Sequence, residues 1–343
     1  MDAFSYDRAQ NPADALSRLR RVPRSLPIAG GTSLLDLMKL GIETPPHLVD
    51  VNQLLWSRIE ERSPGTLHIG ALVRNSELAQ HPLLKARAPV VSEALLSGAS
   101  PQIRNMATVG GNLLQRTRCP YFRDLQSPCN KRLLGSGCAA RQGHSRESAI
   151  LGGSETCIAV HPSDLAVALL VLDAVVHILP QDGASERTVP LSEFHLLPGK
   201  TPARETVLEP QDLISGVSVT LPTENSRSCY LKVTDRALFE FALASVAVCL
   251  EVKAGIIQRA RLALGGVATK PWRALAAERA LEQQKPSLEV FRTAAELALR
   301  EAEPVRENAF KVELSKRCIV RALQQATDPA PAGGAHPATG VAP

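Results

Sequence analysis

Between Pro12 and Val22 the apolar residues Ala13, Leu16, Leu19 and Val22 recur at helical spacing, behind the start signal Asn11-Pro12. The short apolar run Leu26-Pro27-Ile28-Ala29 then reads as a strand that ends at Gly30-Gly31. Ser33 to Leu40 is helical again, Gly41 stops it, and His47 to Val51 reads as a second strand. The first sixty residues therefore predict α/β units in which a strand runs through a glycine turn into a helix.

Further on, Thr66 to Leu72 alternates like a strand and Leu83 to Leu96 has a helical pattern. Ala107 to Leu114 holds a second glycine pair. Periodicity then collapses from Arg118 to Thr156, a length that a compact domain tolerates mainly where the segment has work of its own. It resumes at His161-Pro162-Ser163-Asp164, which opens a helix to about Leu172 with Asp164 in its first turn. Val175 to Leu179 and Ile214 to Leu221 read as strands, and the polar stretch Pro222 to Ser228 marks a boundary. Beyond it come a strand at Tyr230 to Thr234, an apolar run at Phe241 to Val252 and a strand at Ile256 to Leu264. Helices follow at about Trp272 to Gln283, Ser287 to Ala302 and Val312 to Gln325. The pattern contains no internal repeat.

Composition narrows the classes. A chain of 343 residues suggests two or three domains, and a 44% hydrophobic fraction is enough for real cores. Aromatic residues make up only 3%, which leaves no stacking platform for single-stranded nucleic acid. The formal net charge of +5 is mild and spread along the chain, so no nucleic-acid partner is expected. No stretch approaches the roughly 18 consecutive apolar residues of a membrane span. Met1 to Tyr6 shows no basic region followed by an apolar core, so no secretory signal is expected there.

The candidate chemistry lies in two glycine-paired turns and a cysteine group. A diphosphate needs backbone N–H groups at close range, and glycine removes the Cβ that would block them. Ala29-Gly30-Gly31-Thr32-Ser33 sits between a strand and a helix and adds two hydroxyls. It matches neither the P-loop nor the dinucleotide-fold glycine spacing. Thr108-Val109-Gly110-Gly111-Asn112 repeats the pattern, and each pair leads into two leucines (Leu34-Leu35 and Leu113-Leu114). The likeness points to two loops that clamp one ligand. Leu264-Gly265-Gly266-Val267 lacks a flanking hydroxyl and reads as a plain turn.

Of the 7 cysteines, Cys119, Cys129, Cys138 and Cys157 fall in the aperiodic segment, while Cys229, Cys249 and Cys318 read as buried structural thiols. An odd count in a chain this long argues against a disulfide framework. The spacing contains no Cys-x-x-Cys, so it matches neither a ferredoxin nor a zinc finger. Four thiolates suit zinc and iron–sulfur clusters alike. Gly135, Gly137, Gly143, Gly152 and Gly153 would let the loop wrap an inorganic core, and Arg116, Arg118, Lys131 and Arg132 could offset its negative charge.

Ala29-Gly30-Gly31-Thr32-Ser33-Leu34-Leu35 together with Thr108-Val109-Gly110-Gly111-Asn112-Leu113 resembles the FAD-binding subunit of the molybdenum hydroxylases, the xanthine dehydrogenase family. The likeness covers roughly positions 4 to 325. Arg116 to Asp124 and Pro128 to Arg132 look like the bacterial periplasmic-type aldehyde oxidoreductase branch, whose FAD subunit carries an extra [4Fe–4S] cluster. The resemblance implies an α+β fold. An FAD-binding domain of the vanillyl-alcohol-oxidase/PCMH type, made of two α/β subdomains, would span 1–225. Its subdomains would be 1–60 and 61–225, the second holding a cysteine-rich insertion at 116–157. A smaller α+β C-terminal domain of the CO dehydrogenase flavoprotein type would span 226–327, and the Pro/Ala/Gly-rich 328–343 reads as a disordered tail.

What the resemblance implies for the site is FAD held by Pro27, Ile28, Ala29, Gly30, Gly31, Thr32, Ser33, Leu34, Leu35, Thr108, Val109, Gly110, Gly111, Asn112 and Leu114. Ser163 and Asp164 would stand near the ribityl and adenosine side, and Lys232 near the flavin ring. Cys119, Cys129, Cys138 and Cys157 would ligate the [4Fe–4S] cluster. The chain would be the electron-transfer subunit of a heterotrimeric aldehyde oxidoreductase. It would pass electrons from a large molybdenum-cofactor subunit and a small [2Fe–2S] subunit through FAD to an external acceptor. No catalytic residue of its own and no aldehyde oxidation by the chain alone are expected. Co-export with a signal-bearing partner to the periplasm is expected, with the cytoplasm as the alternative. Two other readings stand beside this one: a free-standing flavin oxidase or dehydrogenase, and a zinc-binding interaction module.

Overall fold

The computed structural model of the chain describes residues 1–237 and 239–327. The tail expected at 328–343 lies outside the described residues. Three sheets organise the rest.

The first is a parallel three-stranded sheet of β1 (Ser5–Arg8), β2 (Leu26–Ile28) and β3 (His47–Asp50), in the order β1-β3-β2. The helix Pro12–Arg21 starts where the Asn11 side chain accepts the Asp14 N–H at 2.9 Å. Its buried face, Ala15, Leu16 and Leu19, packs with Val49 and Leu54. The polar sequence Ser5-Tyr6-Asp7-Arg8 hides β1 from a hydrophobic-pattern reading, because this edge strand is largely exposed.

The second sheet is antiparallel, with β4 (Ile59–Ser63), β5 (Thr66–Gly70), β6 (Val175–Leu179), β7 (Arg187–Pro190) and β8 (Leu213–Thr220) in the order β4-β5-β8-β6-β7. Helices from Asn75 to Leu113, and the helix Asp164–Leu170, pack with it around one aliphatic core. The helix expected from Leu83 to Leu96 is two, Pro82–Arg87 and Pro89–Ser97. Ala88 has φ −141° because the proline that follows it disfavours helical backbone. The aperiodic cysteine segment contains a short helix Pro120–Arg123, one 3-10 turn and two isolated bridges, Cys129 with Cys138 and Leu151 with Ala268.

The third sheet, β12-β11-β10-β9, is an antiparallel meander of β9 (Ser226–Val233), β10 (Ala244–Lys253), β11 (Ile256–Gly265) and β12 (Trp272–Arg273). Helices Leu275–Leu281, Leu288–Ala298 and Phe310–Thr327 share its second core. The helix expected from Trp272 begins only at Leu275, since Trp272 and Arg273 pair with Leu264 and Ala263. On the opposite face Tyr230, Ala247, Cys249 and Ala263 join the core of the second sheet, which fixes the two bodies together. No described helix is long and apolar enough to cross a membrane.

Candidate functional site

Two cavities of about 300 and 320 Å³ meet at Thr32, Ser33 and Gly111 and form one trough. One half lies between the first and second sheets and is walled by both glycine turns, Trp56, Leu72 and Ile214. The other half runs past Asn112, Arg104 and Asp164 to Lys232 and Phe241 beside the third sheet. This size suits a cofactor rather than a metabolite fragment. Pro27, Ile28, Ala29, Gly30, Gly31, Thr32, Ser33, Leu34, Thr108, Gly110, Gly111 and Leu114 line the first half. Asn112, Asp164 and Lys232 line the second. Leu35, Val109 and Ser163 line neither half. Val109 is fully buried beneath the trough, Leu35 packs over the turn near the Gly31 Cα, and Ser163 faces a third cavity of about 290 Å³.

The turns differ in how they use their donors. Among the described residues, the backbone N–H groups of Gly30, Gly31, Thr32, Ser33 and Leu34 have no protein acceptor. Ser33 precedes the helix Leu34–Lys39 without a capping bond of its own, so its hydroxyl is uncommitted too. Gly31 has φ +71°, which only glycine adopts freely. At the second turn the Val109 N–H donates to the Val73 carbonyl at 3.0 Å and the Gly110 N–H to the Ala71 carbonyl at 2.9 Å. The Gly111 N–H donates to Thr108 Oγ1 at 3.3 Å and the Asn112 N–H to the Thr108 carbonyl at 2.8 Å. The residues expected as a turn are a short helix, Val109–Leu113, capped by Thr108.

The glycines have different reasons as well. A Cβ on Gly30 would fall inside the Met106 carbonyl, so this glycine lets the first turn press against the backbone that leads to the second. A Cβ on Gly110 would sit 3.1 Å from the Ala71 Cβ. A Cβ on Gly111 would meet only Thr108 Oγ1, at 3.1 Å, and would otherwise point toward the trough. The reading in which glycine clears the way for a ligand therefore fits Gly111. At Gly30 and Gly110 the close partner is the protein itself.

Asp164 closes the far end. Its carboxylate accepts the Tyr230 hydroxyl at 2.6 Å and pairs with Lys232 Nζ at 2.8 Å. Lys232 also donates to the Ser97 carbonyl at 3.3 Å. Both charges are largely buried, so each satisfies the other. Lys232, expected as a basic residue near the flavin ring, lines the trough with its charge matched by Asp164. Ser163 caps the helix Asp164–Leu170 by accepting the Ala166 N–H at 3.0 Å, and its hydroxyl donates to Asn112 Oδ1 at 2.6 Å. That bond ties the second turn to this helix. His161 lies against His195, with 4.4 Å between ring centroids, and burial holds its basicity well below the ordinary value.

The cysteine segment lies directly beyond the second turn. Burial pushes the Cys119 thiol up, the N–H groups of Phe122 and Tyr121 offset part of the rise, and the thiols of Cys129 and Cys138 add to it. Burial likewise pushes Cys157 up to about 11, with Lys131 opposing the rise and Cys138 and Cys119 adding to it. Cys119 thus feels Cys129 and Cys138, and Cys157 feels Cys138 and Cys119. Among the described residues no group of three or more His, Cys, Asp or Glu is arranged to hold a metal ion. Cys249 and Cys318 are buried in the aliphatic cores, and Cys229 packs where β9 meets the last helix.

The pattern reading missed several lining residues. Trp56, Leu72 and Ile214 reach the trough from loops and from β8, and nothing in their local sequence marks them. Phe239 and Phe241 come from the loop between β9 and β10; Phe239 fell between the elements read from the pattern, and Phe241 at the start of the apolar run. Gly265 and Gly266, read as a plain turn, line the third cavity, and the Gly266 carbonyl accepts Lys311 Nζ at 2.7 Å.

This architecture has known counterparts. Residues 2–223 match the family described as FAD binding domain in molybdopterin dehydrogenase, and residues 229–326 match the CO dehydrogenase flavoprotein C-terminal domain. The chain belongs to the FAD-binding subunits of the molybdenum hydroxylases. It is 51% identical over 327 residues to the aldehyde oxidoreductase FAD-binding subunit PaoB of Escherichia coli K12, covering 95% of this chain and 99% of that one. It is 26% identical to the carbon monoxide dehydrogenase medium chain of Afipia carboxidovorans, covering 94% and 96%. The solved carbon monoxide dehydrogenase of Hydrogenophaga pseudoflava superposes with a TM-score of 0.74 at 25% identity, covering 95% of this chain and 97% of that one. The expected two-part α+β fold and the FAD-binding character are thereby established.

Proposed function

We propose that this chain is the electron-transfer FAD subunit of a heteromeric molybdenum-dependent aldehyde oxidoreductase. The observation that carries this reading is near-full-length similarity, at 51% identity, to a subunit of that enzyme class. The free N–H groups of Gly30 to Leu34 suit the FAD pyrophosphate, because five donors on one turn can meet several phosphate oxygens. Gly111 and Asn112 form the opposite wall, and the Asp164–Lys232 pair stands at the far end of the trough. When bound, FAD supplies reversible electron uptake and release. The chain's own residues bind and orient it.

Substrate oxidation belongs to a large molybdenum-cofactor subunit, and a small [2Fe–2S] subunit relays electrons to this one. The chain alone oxidises no aldehyde. Cys119, Cys129, Cys138 and Cys157 hold a [4Fe–4S] cluster. The coupling of the Cys119 thiol with Cys129 and Cys138, and of Cys157 with Cys138 and Cys119, supports this reading, and metal analysis decides it against zinc, which four thiolates suit equally. Co-export with a signal-bearing partner would carry the complex to the periplasm.

One preparation tests these points together. The chain is co-purified with its partners, and the visible spectrum is recorded with iron, zinc and molybdenum analysis. Flavin bands, broad absorbance near 400 nm and iron beyond the small subunit's share are expected. Stoichiometric zinc in place of that iron would refute the cluster, and aldehyde turnover by the isolated chain would refute the subunit role.

A further inference from the structure

The helix Leu34–Lys39 carries the first glycine turn at its head, and its outer side is gripped by the cysteine segment. Asp36 receives two arginines, Arg118 at 2.7 Å and Arg123 at 2.8 Å. These two residues bracket Cys119 in sequence. A few residues past the helix, Glu43 pairs with Arg116, which also pairs with Glu205 at 2.7 Å. Glu205 in turn holds Lys131, two residues from Cys129, at 2.6 Å. Leu125 completes the grip, since its Cδ1 would lie 3.3 Å from a Cβ on Gly41 at the end of the helix. The partners of the cysteine segment thus converge on the element that aims the free N–H groups, and Asp36 itself lines no part of the trough.

We propose that the cysteine segment is a latch on the flavin: Asp36 is a positioning residue through which Arg118 and Arg123 hold the phosphate-facing turn in its binding shape. The bracketing arginines can reach Asp36 only while the chain on either side of Cys119 is folded. Coupling of this kind is reciprocal, so FAD in the trough must also hold the Cys119 loop shut. The flavin half of the proposal rests on FAD binding alone. Only the iron half rests on the cluster reading given above.

The test uses the full chain. FAD release is followed by the recovery of flavin fluorescence in wild type, Asp36→Asn, Arg123→Gln and the double variant. Release is expected to quicken about five- to tenfold in each single variant. The double variant is expected to be no faster than the singles, because Asp36 and Arg123 act as one unit. The melting midpoint of the FAD-free protein should shift by less than the FAD-bound midpoint, a difference that a purely structural role would not give. The second arm needs no variant. After iron chelation of the wild-type chain, alkylation of Cys119 by iodoacetamide, read by peptide mass spectrometry, should be several-fold slower with FAD than without. The chelation step changes nothing if the cysteines carry no metal, so the latch can be judged even where the cluster reading fails. Unchanged FAD release in Asp36→Asn, or alkylation of Cys119 indifferent to FAD, would overturn the proposal.

Discussion

At Gly30-Gly31 the chain leaves a parallel strand with five consecutive N–H groups unspent, whereas at Gly110-Gly111 it enters a helix with four N–H groups already bonded. Both segments carry similar local sequence signs: a glycine pair, a threonine within two residues of it and two leucines beyond. Their difference lies in what packs behind them. Ala71 and Val73 supply carbonyls to the second segment, and Thr108 supplies both its side chain and its carbonyl. No described residue supplies an acceptor to the first. The turn is half-buried to exposed and lines the trough, so its uncommitted N–H groups are open to an acceptor that arrives from outside. Under the proposed function the first turn is the one that holds the cofactor, and the second shapes the wall.

The largest expected effect breaks the junction between the two turns. Gly30→Ala forces a Cβ into the Met106 carbonyl, which neither backbone can avoid without moving. It should cost about 3 kcal/mol and leave the purified protein nearly free of flavin. Urea denaturation and the ratio of flavin to protein absorbance measure both.

The capping contrast is smaller and sharper. Thr108→Ala removes a side chain that satisfies the Gly111 N–H and should cost about 1 kcal/mol, with recovery in Thr108→Ser. Ser33→Ala at the matching position removes no capping bond, so stability should stay within about 0.5 kcal/mol while FAD binding weakens. Equal stability losses at the two positions would erase the distinction between the turns.

Gly111→Ala sharpens the comparison from the ligand side. The new Cβ meets only Thr108 Oγ1, and alanine is the better helix former, so the fold should tolerate it within about 0.5 kcal/mol. FAD affinity should fall several-fold all the same, as read by fluorescence titration, because the added methyl faces the trough.

The smallest effect concerns acid. Burial would raise the Glu205 carboxyl, but Arg116 and Lys131 outweigh burial and hold it below its ordinary value of 4.5. A carboxylate lowered in the folded state stabilises the fold fully above its unfolded value and loses that contribution as pH falls through the lower folded value. FAD retention and melting temperature should therefore be flat with respect to this group from pH 8 to about 5 and decline below about 4.5. Glu205→Gln should remove that part of the acid dependence.

Much of this was legible before the fold was seen, for reasons that particular residues make clear. Asn11-Pro12 and Gly41 bound their helices because capping and positive-φ preferences are local. The Leu83–Leu96 pattern misled because periodicity outweighed Pro89, whose effect falls on the residue before it. Strand β1 escaped because an exposed polar edge has no pattern to read. In the site, the glycine pairs announced themselves, while the split between their roles did not. Whether the Gly110 N–H is free depends on Ala71, about forty residues away in the chain, and no local motif encodes that pairing. Lys232 was read as a site residue and it lines the trough, but its partner Asp164 comes from another element, so the neutralised pair emerged only with the third sheet in position.

Residue-resolved amide hydrogen exchange of the full chain, with and without FAD, addresses the central claim most directly. The N–H groups of Gly30 to Leu34 should exchange fast in the FAD-free protein and become strongly protected on binding. Those of Val109 to Asn112 should be protected already and change little. Protection gained at 109–112, with 30–34 unmoved, would show that the second turn holds the cofactor and would contradict the account.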